Sequence, residues 1–204
     1  MGKVVLSISM SLDGFVAGPN DSHENPLGDG GERLFQWYFS GDTPLSMPGN
    51  VPEFKVSRQS AEHIQAATKN IGAMVAGRRM FDIAGAWQGH PPGEGPTFIV
   101  THSPPQEWLR EGSPFTFVTD GVESAIRQAR AAAGGKDVAI ASASIAQQAI
   151  KAGLLDEIHI DLAPVLLGAG VRLFEAMGDT PVELEKIDVI DAPGVTHLGF
   201  RVVR

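Results

Sequence analysis

Three short stretches place small and polar residues directly after apolar runs, where a buried strand would end. The first is AGRRM, with Gly77, Arg78 and Arg79; the second is VTHSPP at 100–105, and the third is IASASIAQQ at 140–148. Glycine lets a ligand approach the backbone, and a guanidinium makes forked, charge-assisted hydrogen bonds to phosphate. Neighbouring parallel strands would bring these ends to one edge. Adjacent arginines alone are typical of solvated charge, but the three stretches together predict a site for a nucleotide with more than one phosphate.

Two carboxylates and a histidine are candidates for proton transfer or substrate binding. Asp13 lies in the stretch SLDG, where an ordinary Asp-Gly turn is the competing interpretation. His159 and Asp161 alternate with isoleucines in EIHIDLA, so both face the same side of a strand. A solvated position on an exposed sheet face is the alternative for Asp161, and His159 is interpreted either as its neighbour there or as a pocket residue.

The elements that must position these residues alternate between strands and helices. Alternation in VVLSISM predicts a first strand, and short apolar runs predict strands buried on both faces at 73–76, 97–100, 115–118 and 138–141. Helices are predicted at 32–39 and 57–69, on either side of a loop at 41–53, and after Asp120 and Ser144, which begin capping-box patterns. This alternation predicts an α/β fold with a mixed, mainly parallel central sheet.

The last third of the chain has a different pattern. A long strand is predicted at 157–167, followed by strands at 182–190 and 195–203 with a DAPG turn between them. This order predicts an antiparallel hairpin at the edge of the sheet, and a break in the alternation predicts a bulge near Lys186. No composition shift divides the chain, so residues 1–204 are expected to form one domain.

Composition excludes several classes of function. A hydrophobic content of 43% is enough for a full core, whereas a net charge of −8 argues against nucleic-acid binding. The absence of cysteine excludes disulfides and thiolate metal sites, and the six histidines show no metal-ligand spacing, so no metal site is expected. No apolar run is long enough to span a membrane. A soluble cytoplasmic protein with a small-molecule substrate is therefore expected.

The order of the motifs resembles a known family. SISMSLDGFVAG, AGRRMF, FIVTHSP and above all IAQQAIKAGLLDEIHIDLAPVLLGAGVRLF are similar to the reductase domain of the bifunctional riboflavin-biosynthesis deaminase–reductase. More broadly they resemble the dihydrofolate reductase fold, which implies a three-layer α/β architecture. The H-x-E and P-C-x-x-C signature of the zinc-dependent deaminase is missing.

The resemblance implies an NADPH site at the carboxyl ends of the strands. The nicotinamide side would involve Ser9, Val16 and Ala17, and the phosphates would meet Gly77, Arg78, Arg79 and Met80. The adenosine 2′-phosphate would lie near Thr101, His102 and Ser103, and the pyrophosphate near Ala141, Ser142, Ala143, Ser144 and Ile145. Ala141-Ser142 replaces a glycine pair of the family, and a serine allows less close approach than a glycine.

The resemblance implies a substrate-phosphate role for Gly168 and Gly170, and it places His159 and Asp161 on a strand similar to the one that lines the family's substrate pocket. Asp13 and Asp161 are the candidate catalytic carboxylates, and Trp37 is expected in the core or the pocket wall. Dihydrofolate reductases hold the pterin ring with a carboxylate on the first helix, and the nearest candidate here, Glu32, is out of register with that position. Folate itself is therefore not the expected substrate, which would be a ribosylated pyrimidine or a pterin-like ring. The alternatives are a dihydrofolate reductase-like enzyme with another substrate, a nucleotide-binding protein that has lost catalysis, and an interaction module without a nucleotide. A homodimer is expected because the C-terminal hairpin leaves a sheet edge to cover.

Overall fold

The computed structural model of the chain describes residues 2–47, 53–175 and 177–203. Extended segments in these ranges form the following strands: β1 (Val4–Ser11), β2 (Phe15–Ala17), β3 (Thr43–Leu45), β4 (Phe54–Val56), β5 (Ile71–Gly77), β6 (Thr97–Val100), β7 (Phe115–Val118), β8 (Asp137–Ile140), β9 (Glu157–Ala163), β10 (Val171–Arg172), β11 (Leu184–Ala192) and β12 (Val195–Val202). Eight of them form the central sheet, in the order β11-β12-β9-β1-β8-β5-β6-β7.

The sheet is parallel from β9 to β7 and antiparallel at the other edge. β1 pairs in parallel with both β8 and β9, whereas β12 pairs antiparallel with β9 and β11. This confirms the mixed, mainly parallel sheet and the C-terminal hairpin. The predicted bulge is also confirmed, because the register of β11 against β12 shifts between Lys186 and Asp188.

Helices cover both faces of the sheet and complete three layers. The α-helices of the described ranges are α1 (Arg58–Thr68), α2 (Arg78–Ile83), α3 (Val122–Ala132) and α4 (Ala143–Lys151). On one face α3 and α4 bury a large apolar core against alternate residues of the strands, such as Leu6, Val75 and Ile158. On the other face α1 and a 3₁₀ helix (Gly31–Phe39) cover one side, with Trp37 and Ile64 in their core.

A separate aromatic cluster lies on that second face, beneath α2. Phe81 of α2 packs edge-on against Phe115 and Phe117 of β7, with ring centroids 5.0 and 5.6 Å apart. This cluster shares no residue with the core beneath α1. None of the helices within the described ranges has both the length and the apolarity needed to cross a bilayer.

Several sequence expectations need correction. The strand predicted at 157–167 ends at Ala163, because Pro164 has no N–H with which to continue the ladder. The helix predicted at 32–39 forms, but as a 3₁₀ helix. The short strands β2, β3, β4 and β10 were not predicted, and residues 48–52 of the predicted loop lie outside the described residues.

The predicted capping boxes are also wrong. The N-cap of α3 is Gly121 rather than Asp120, and the N-cap of α4 is Ser142 rather than Ser144; neither makes a side-chain cap. For α4 the reason is a competing partner, since the Ser142 hydroxyl accepts a hydrogen bond from Gly77 N–H at 3.1 Å instead. The first amides of α4 are therefore left without a side-chain acceptor.

Candidate cofactor and substrate site

The structure brings the three predicted strand ends to one edge of the sheet. β5 lies between β6 and β8, and Gly77 at the end of β5 is in register with Val100 at the end of β6. Ala141 follows β8 directly, and its N–H donates to the Val75 carbonyl at 3.0 Å. The polar residues that follow these strands are therefore neighbours, as parallel pairing of the strands requires.

Gly77 packs directly against the start of α4. A β-carbon placed on Gly77 would lie 3.2 Å from Ser142 Oγ and 3.4 Å from Ser144 Oγ, which is closer than most side-chain contacts. Ala143 and Ile145 are buried beneath this contact, whereas Ser144 is exposed. The edge thus presents the exposed hydroxyl of Ser144 and uncapped helix amides. Such amides, at the positive end of the helix dipole, suit an anion.

The two adjacent arginines lie beside this edge, and both have acidic partners. Arg78 Nε donates to both carboxylate oxygens of Asp82 at 2.8 and 3.0 Å, and Arg78 also donates to the Ser103 carbonyl. Arg79 donates to the carboxylate and the carbonyl of Asp21, which ties α2 to the loop after β2. With Asp21, His23 and Asp82 the arginines line a cleft of about 420 Å³. A phosphate bound there would have to compete with Asp21 and Asp82.

The end of β6 contributes a buried turn. The Thr101 side chain is buried; its hydroxyl accepts from Ser103 N–H and donates to the Ser103 carbonyl, both at 3.2 Å. His102 and Ser103 are exposed, and Met80, on the neighbouring α2, is 37% exposed. The Arg78–Ser103 contact therefore joins the ends of β5 and β6.

The loop after β1 contacts a second glycine-rich turn. Val16 and Ala17 lie in β2, which pairs with β10. Gly170 has a φ of +133°, and a β-carbon there would lie 2.0 Å from the Ala17 carbonyl oxygen. Gly170 therefore allows the two loops to touch, which is a role in packing and is compatible with a nearby ligand.

Asp13 holds this second turn in place. Its carboxylate accepts hydrogen bonds from Ser11 Oγ at 2.6 Å, Leu167 N–H at 3.1 Å and Gly168 N–H at 2.7 Å. These bonds favour the charged form and lower the pKa of Asp13 from 3.8 to about 2, with the Ser11 hydroxyl as the largest cause. Asp13 is therefore ionised near neutral pH, and the Gly168 amide is already occupied.

Asp161 is buried in a polar cluster on the second face of the sheet. Its side chain is 8% exposed, so the solvated interpretation is wrong. His197 Nδ1 lies 2.7 Å from Asp161 Oδ1, and His197 Nε2 lies 2.9 Å from Ser60 Oγ. The ring of His63 stacks on that of His197 with centroids 4.5 Å apart, and Trp37 packs edge-on against His197 at 5.3 Å.

Several polar atoms of this region lack a protein partner. Among the described residues, Ser9 Oγ, Trp37 Nε1 and His159 Nδ1 are buried without a hydrogen bond. Ser9 is in register with Asp161 on the adjacent strand, and His159 lies two residues earlier on the same face. Buried polar groups are normally paired, so these atoms indicate a place where a polar ligand or water completes the hydrogen bonding.

Sequence reasoning missed Ser60, His63 and His197. Burial lowers the pKa of His63, and the neighbouring His197 lowers it further, which favours a neutral His63 ring. Burial raises the pKa of Tyr38, with a further contribution from the charge of Asp161. Ser60 and His63 are three residues apart on one face of α1, so helical spacing was the available signal, although it did not identify their partner on β12. Glu32 is exposed at the start of the 3₁₀ helix.

The sheet order, the two helical layers and the polar strand ends define a dihydrofolate reductase-like α/β protein. Residues 2–195 match a known family pattern over nearly the whole chain. The chain belongs to the RibD C-terminal domain family. Membership of this family supports a reductase-like function of the riboflavin-pathway type.

Solved structures with low sequence identity support the same fold. A candidate riboflavin biosynthesis protein from Shewanella sp. PV-4 is 21% identical over 100% of both chains, with a TM-score of 0.71. The dihydrofolate reductase from Enterococcus faecalis, complexed with NADP(H), is 13% identical over 100% of this chain and 98% of its own, with a TM-score of 0.58.

A longer protein shares the fold over part of its length. The deaminase/5-amino-6-(5-phosphoribosylamino)uracil reductase from Thermotoga maritima is 10% identical, with a TM-score of 0.63. The match covers 99% of this chain but 57% of that protein. At these identities the likeness concerns the fold alone. Comparison with curated protein sequences finds no significant match.

Proposed function

We propose that this protein is an NADPH-dependent reductase that transfers a hydride to a small polar heterocycle. The substrate is a ribosylated pyrimidine, of the kind reduced by 5-amino-6-(5-phosphoribosylamino)uracil reductase, or a pterin-like ring. The observation that carries the proposal is that a phosphate-compatible strand edge and a buried cluster with unpartnered polar atoms lie on the same sheet, joined through β1. Family membership supports the same activity.

The strand edge fits a dinucleotide in two ways. Gly77 has no side chain at a position where a β-carbon would contact Ser142, which leaves room for a ligand near the backbone. The first amides of α4 have no side-chain acceptor. Arg78 and Arg79 add positive charge to an otherwise acidic chain. In the proposed complex these arginines hold the 2′-phosphate beside Thr101 and His102, and so select NADPH over NADH.

When bound, NADPH supplies the hydride, and the protein supplies binding and orientation. Ser9 lies on β1, and Val16 and Ala17 lie on β2 after the loop that follows β1; we assign all three to the nicotinamide side of the cleft. Hydride transfer requires the donor carbon to be held over the acceptor, so the rigidity of this loop matters. Contacts between Gly170 and Ala17, and between Asp13 and Gly168, provide that rigidity.

The polar cluster fits the edge of a heterocycle that carries both donors and acceptors. Trp37 Nε1 can only donate, the Asp161 carboxylate can only accept, and Ser9 Oγ can do either. A pyrimidine or pterin ring, with amide-like N–H and C=O groups along one edge, would satisfy all three. His159 Nδ1, which lies on the same face of the sheet, would form a hydrogen bond to a substituent of the ring.

Of the two predicted catalytic carboxylates, Asp161 suits contact with the reacting ring. It is buried within the polar cluster and oriented by His197. It can hold a ring N–H, or a water that delivers the proton to the reduced atom. Asp13 acts indirectly in this proposal, because a pKa of about 2 leaves it without a proton to give near neutral pH.

The test is steady-state loss of NADPH absorbance with a panel of ribosylated pyrimidines and pterins. We expect turnover of at least one compound, and Asp161→Asn should lower kcat by about 10²–10⁴-fold, the usual contribution of a positioned proton-transfer group. Asp120→Asn, which alters an exposed carboxylate, is the matched control and should leave kcat unchanged. Equal rates for both variants would contradict the role of Asp161.

The second candidate is a nucleotide-binding protein without catalysis, because Ala141-Ser142 stands where the family that the chain resembles has a glycine pair against the pyrophosphate and nicotinamide. The Ser142 hydroxyl occupies Gly77 N–H, so this amide is not available to a pyrophosphate. A protein of this second type would bind NADPH, raise its melting temperature on binding, and turn over no member of the panel. Turnover of any member eliminates this alternative.

We also propose that the enzyme is a homodimer. β11 is an edge strand of the central sheet, and its side chains Leu184, Ile187 and Val189 are 43%, 37% and 50% exposed. An exposed edge strand with aliphatic side chains is normally covered. Light scattering on the eluting peak of a size-exclusion column measures the mass directly, and a monomeric mass at micromolar concentration would contradict the proposal.

A further inference from the structure

A group of metal-binding side chains converges from three separate elements. His63 of α1, Asp161 of β9 and His197 of β12 each offer a ligand atom, and these atoms all lie within 4.8 Å of one another. Their positions in the sequence are far apart, which is why spacing alone predicted no metal site. We propose, against that expectation, that this cluster is a binding site for a divalent transition metal, with Zn²⁺ as the best match.

The donor set suits zinc. Two imidazole nitrogens and one carboxylate oxygen are a common protein contribution to a zinc site that leaves one position open. With bonds of about 2.0–2.1 Å, tetrahedral ligand atoms lie roughly 3.3 Å from each other. His197 Nδ1 and Asp161 Oδ1 are already 2.7 Å apart, so they need only separate slightly. His63 has to approach by at most about 1.5 Å, which a change of side-chain rotamer can supply.

The surroundings already orient His197 as a ligand. Its Nε2 lies 2.9 Å from Ser60 Oγ, and Ser60 is fixed in turn by Ser57, whose hydroxyl lies 3.0 Å from that of Ser60. With the proton on Nε2, His197 donates to Ser60 and presents the lone pair of Nδ1 to the cluster. A ligating histidine that donates its second N–H to a fixed oxygen is the usual outer-shell arrangement of zinc sites.

The site is also shielded and accessible from one direction. The side chains of His197 and Asp161 are 0% and 8% exposed, and Trp37 closes one side of the His197 ring. The side chain of His63 is 11% exposed, so the cluster reaches the surface there. The competing account is a metal-free relay in which His197 Nδ1–H donates to Asp161 and the stacked His63 serves only for packing. That account predicts no metal binding.

The inference goes beyond the proposed reduction, which does not require a metal. An ion held by Asp161 would occupy the carboxylate proposed to contact the heterocycle. Zn²⁺ and the substrate are therefore expected to compete, so that the KM of any turned-over substrate rises with Zn²⁺ concentration while kcat is unchanged.

The test is isothermal titration of untagged, chelator-treated protein with ZnCl₂, together with the visible absorption of the Co²⁺-loaded protein. We expect one saturable site per chain and the intense visible bands of tetrahedral Co²⁺. His63→Ala should weaken binding by more than the ~10–100-fold that loss of an outer-shell partner costs, and Ser60→Ala should weaken it by about that amount. His90→Ala, which removes an exposed histidine outside both the cluster and the proposed cofactor site, is the control and should bind Zn²⁺ normally.

No saturable binding of Zn²⁺ by the parent protein would overturn the proposal, as would equal Zn²⁺ affinity of the His63→Ala and His90→Ala proteins. If His63→Ala is poorly folded by circular dichroism, His63→Gln keeps the polar side chain and gives the same comparison. Titration of the same metal-free samples with NADPH keeps the two proposals separate. A protein that binds NADPH but not Zn²⁺ would contradict the metal site alone. A protein that binds Zn²⁺ but not NADPH would contradict the proposed reductase alone.

Discussion

The proposed NADPH site predicts that substitutions of Arg79 and Asp21, which form an ion pair, change NADPH affinity in opposite directions. In the structure Arg79 donates to the carboxylate and the carbonyl of Asp21, so a phosphate must displace this partner. The Arg79 side chain is 66% exposed and that of Asp21 is 11% exposed, and an ion pair of this kind costs about 0–1 kcal/mol to break. A hydrogen bond from arginine to phosphate contributes about 1.5–3 kcal/mol.

The expected change in NADPH affinity is the free energy of the arginine–phosphate hydrogen bond minus the cost of breaking the Arg79–Asp21 ion pair. The net gain is about 0.5–3 kcal/mol, so Arg79→Ala should weaken NADPH binding by about 2–150-fold. The double variant with Arg78→Ala should lose more. Asp21→Asn removes the competing carboxylate, so it should strengthen NADPH binding by up to about fivefold. NADH lacks the 2′-phosphate, and its affinity should change little in all three variants.

The assay is a titration of NADPH and NADH against each purified variant by ligand fluorescence. Arg58→Ala is the matched control, because Arg58 is also an exposed arginine paired with a carboxylate, that of Glu62, but lies on α1, away from the strand ends. The reasoning is refuted if the parent protein binds NADPH and NADH equally, or if Asp21→Asn weakens NADPH binding as much as Arg79→Ala does.

Three further predictions follow from single contacts. Because the pKa of Asp13 is lowered, its stabilising hydrogen bonds are complete above about pH 4 and are lost as the pH falls towards 2. The NMR resonance of the Gly168 amide should therefore shift with a midpoint near pH 2, and in the Asp13→Asn protein it should not shift. Gly170→Ala should lower the free energy of unfolding by about 2–4 kcal/mol in thermal unfolding, because the new β-carbon would meet the Ala17 carbonyl. Gly168→Ala, which has open space around it, should lower it by about 1 kcal/mol, and equal losses would contradict the role of the close approach. Ser142→Gly frees a strand-end amide and should tighten NADPH binding by up to about tenfold in the same titration, and weaker binding would show that the hydroxyl itself contacts the cofactor.

The sequence predicted the central architecture because its signals are local. Apolar runs such as TFIV at 97–100 define strands without reference to their neighbours, and the parity break near Lys186 located the bulge. The short strand β2 lacked such a signal, since three residues do not establish a period. Capping was mispredicted at Ser144 because α4 begins two residues earlier than expected, with Ser142 as its N-cap. The Ser142 hydroxyl makes no cap because it accepts from Gly77 on another strand, a partner that local patterns do not reveal.

The site was predictable only in part, for the same reason. Strand ends could be placed at one edge because parallel pairing requires it, and this brought Gly77 and Ser142 together. The environment of Asp161 depended on α1 and β12, which are more than 100 residues apart in the chain. The acidic partners of the arginines, Asp21 above all, were equally invisible, because the pairing depends on how the loop after β2 folds back.

The most direct test of the central claim is the rate of NADPH oxidation by the parent protein, measured for the pyrimidine and pterin panel with NADH as the parallel donor. The account predicts turnover of at least one compound, a kcat/KM about tenfold or more in favour of NADPH over NADH, and loss of that preference when Arg78 and Arg79 are both replaced by alanine. Failure of NADPH to bind, or equal rates with NADH in the parent protein, would contradict it.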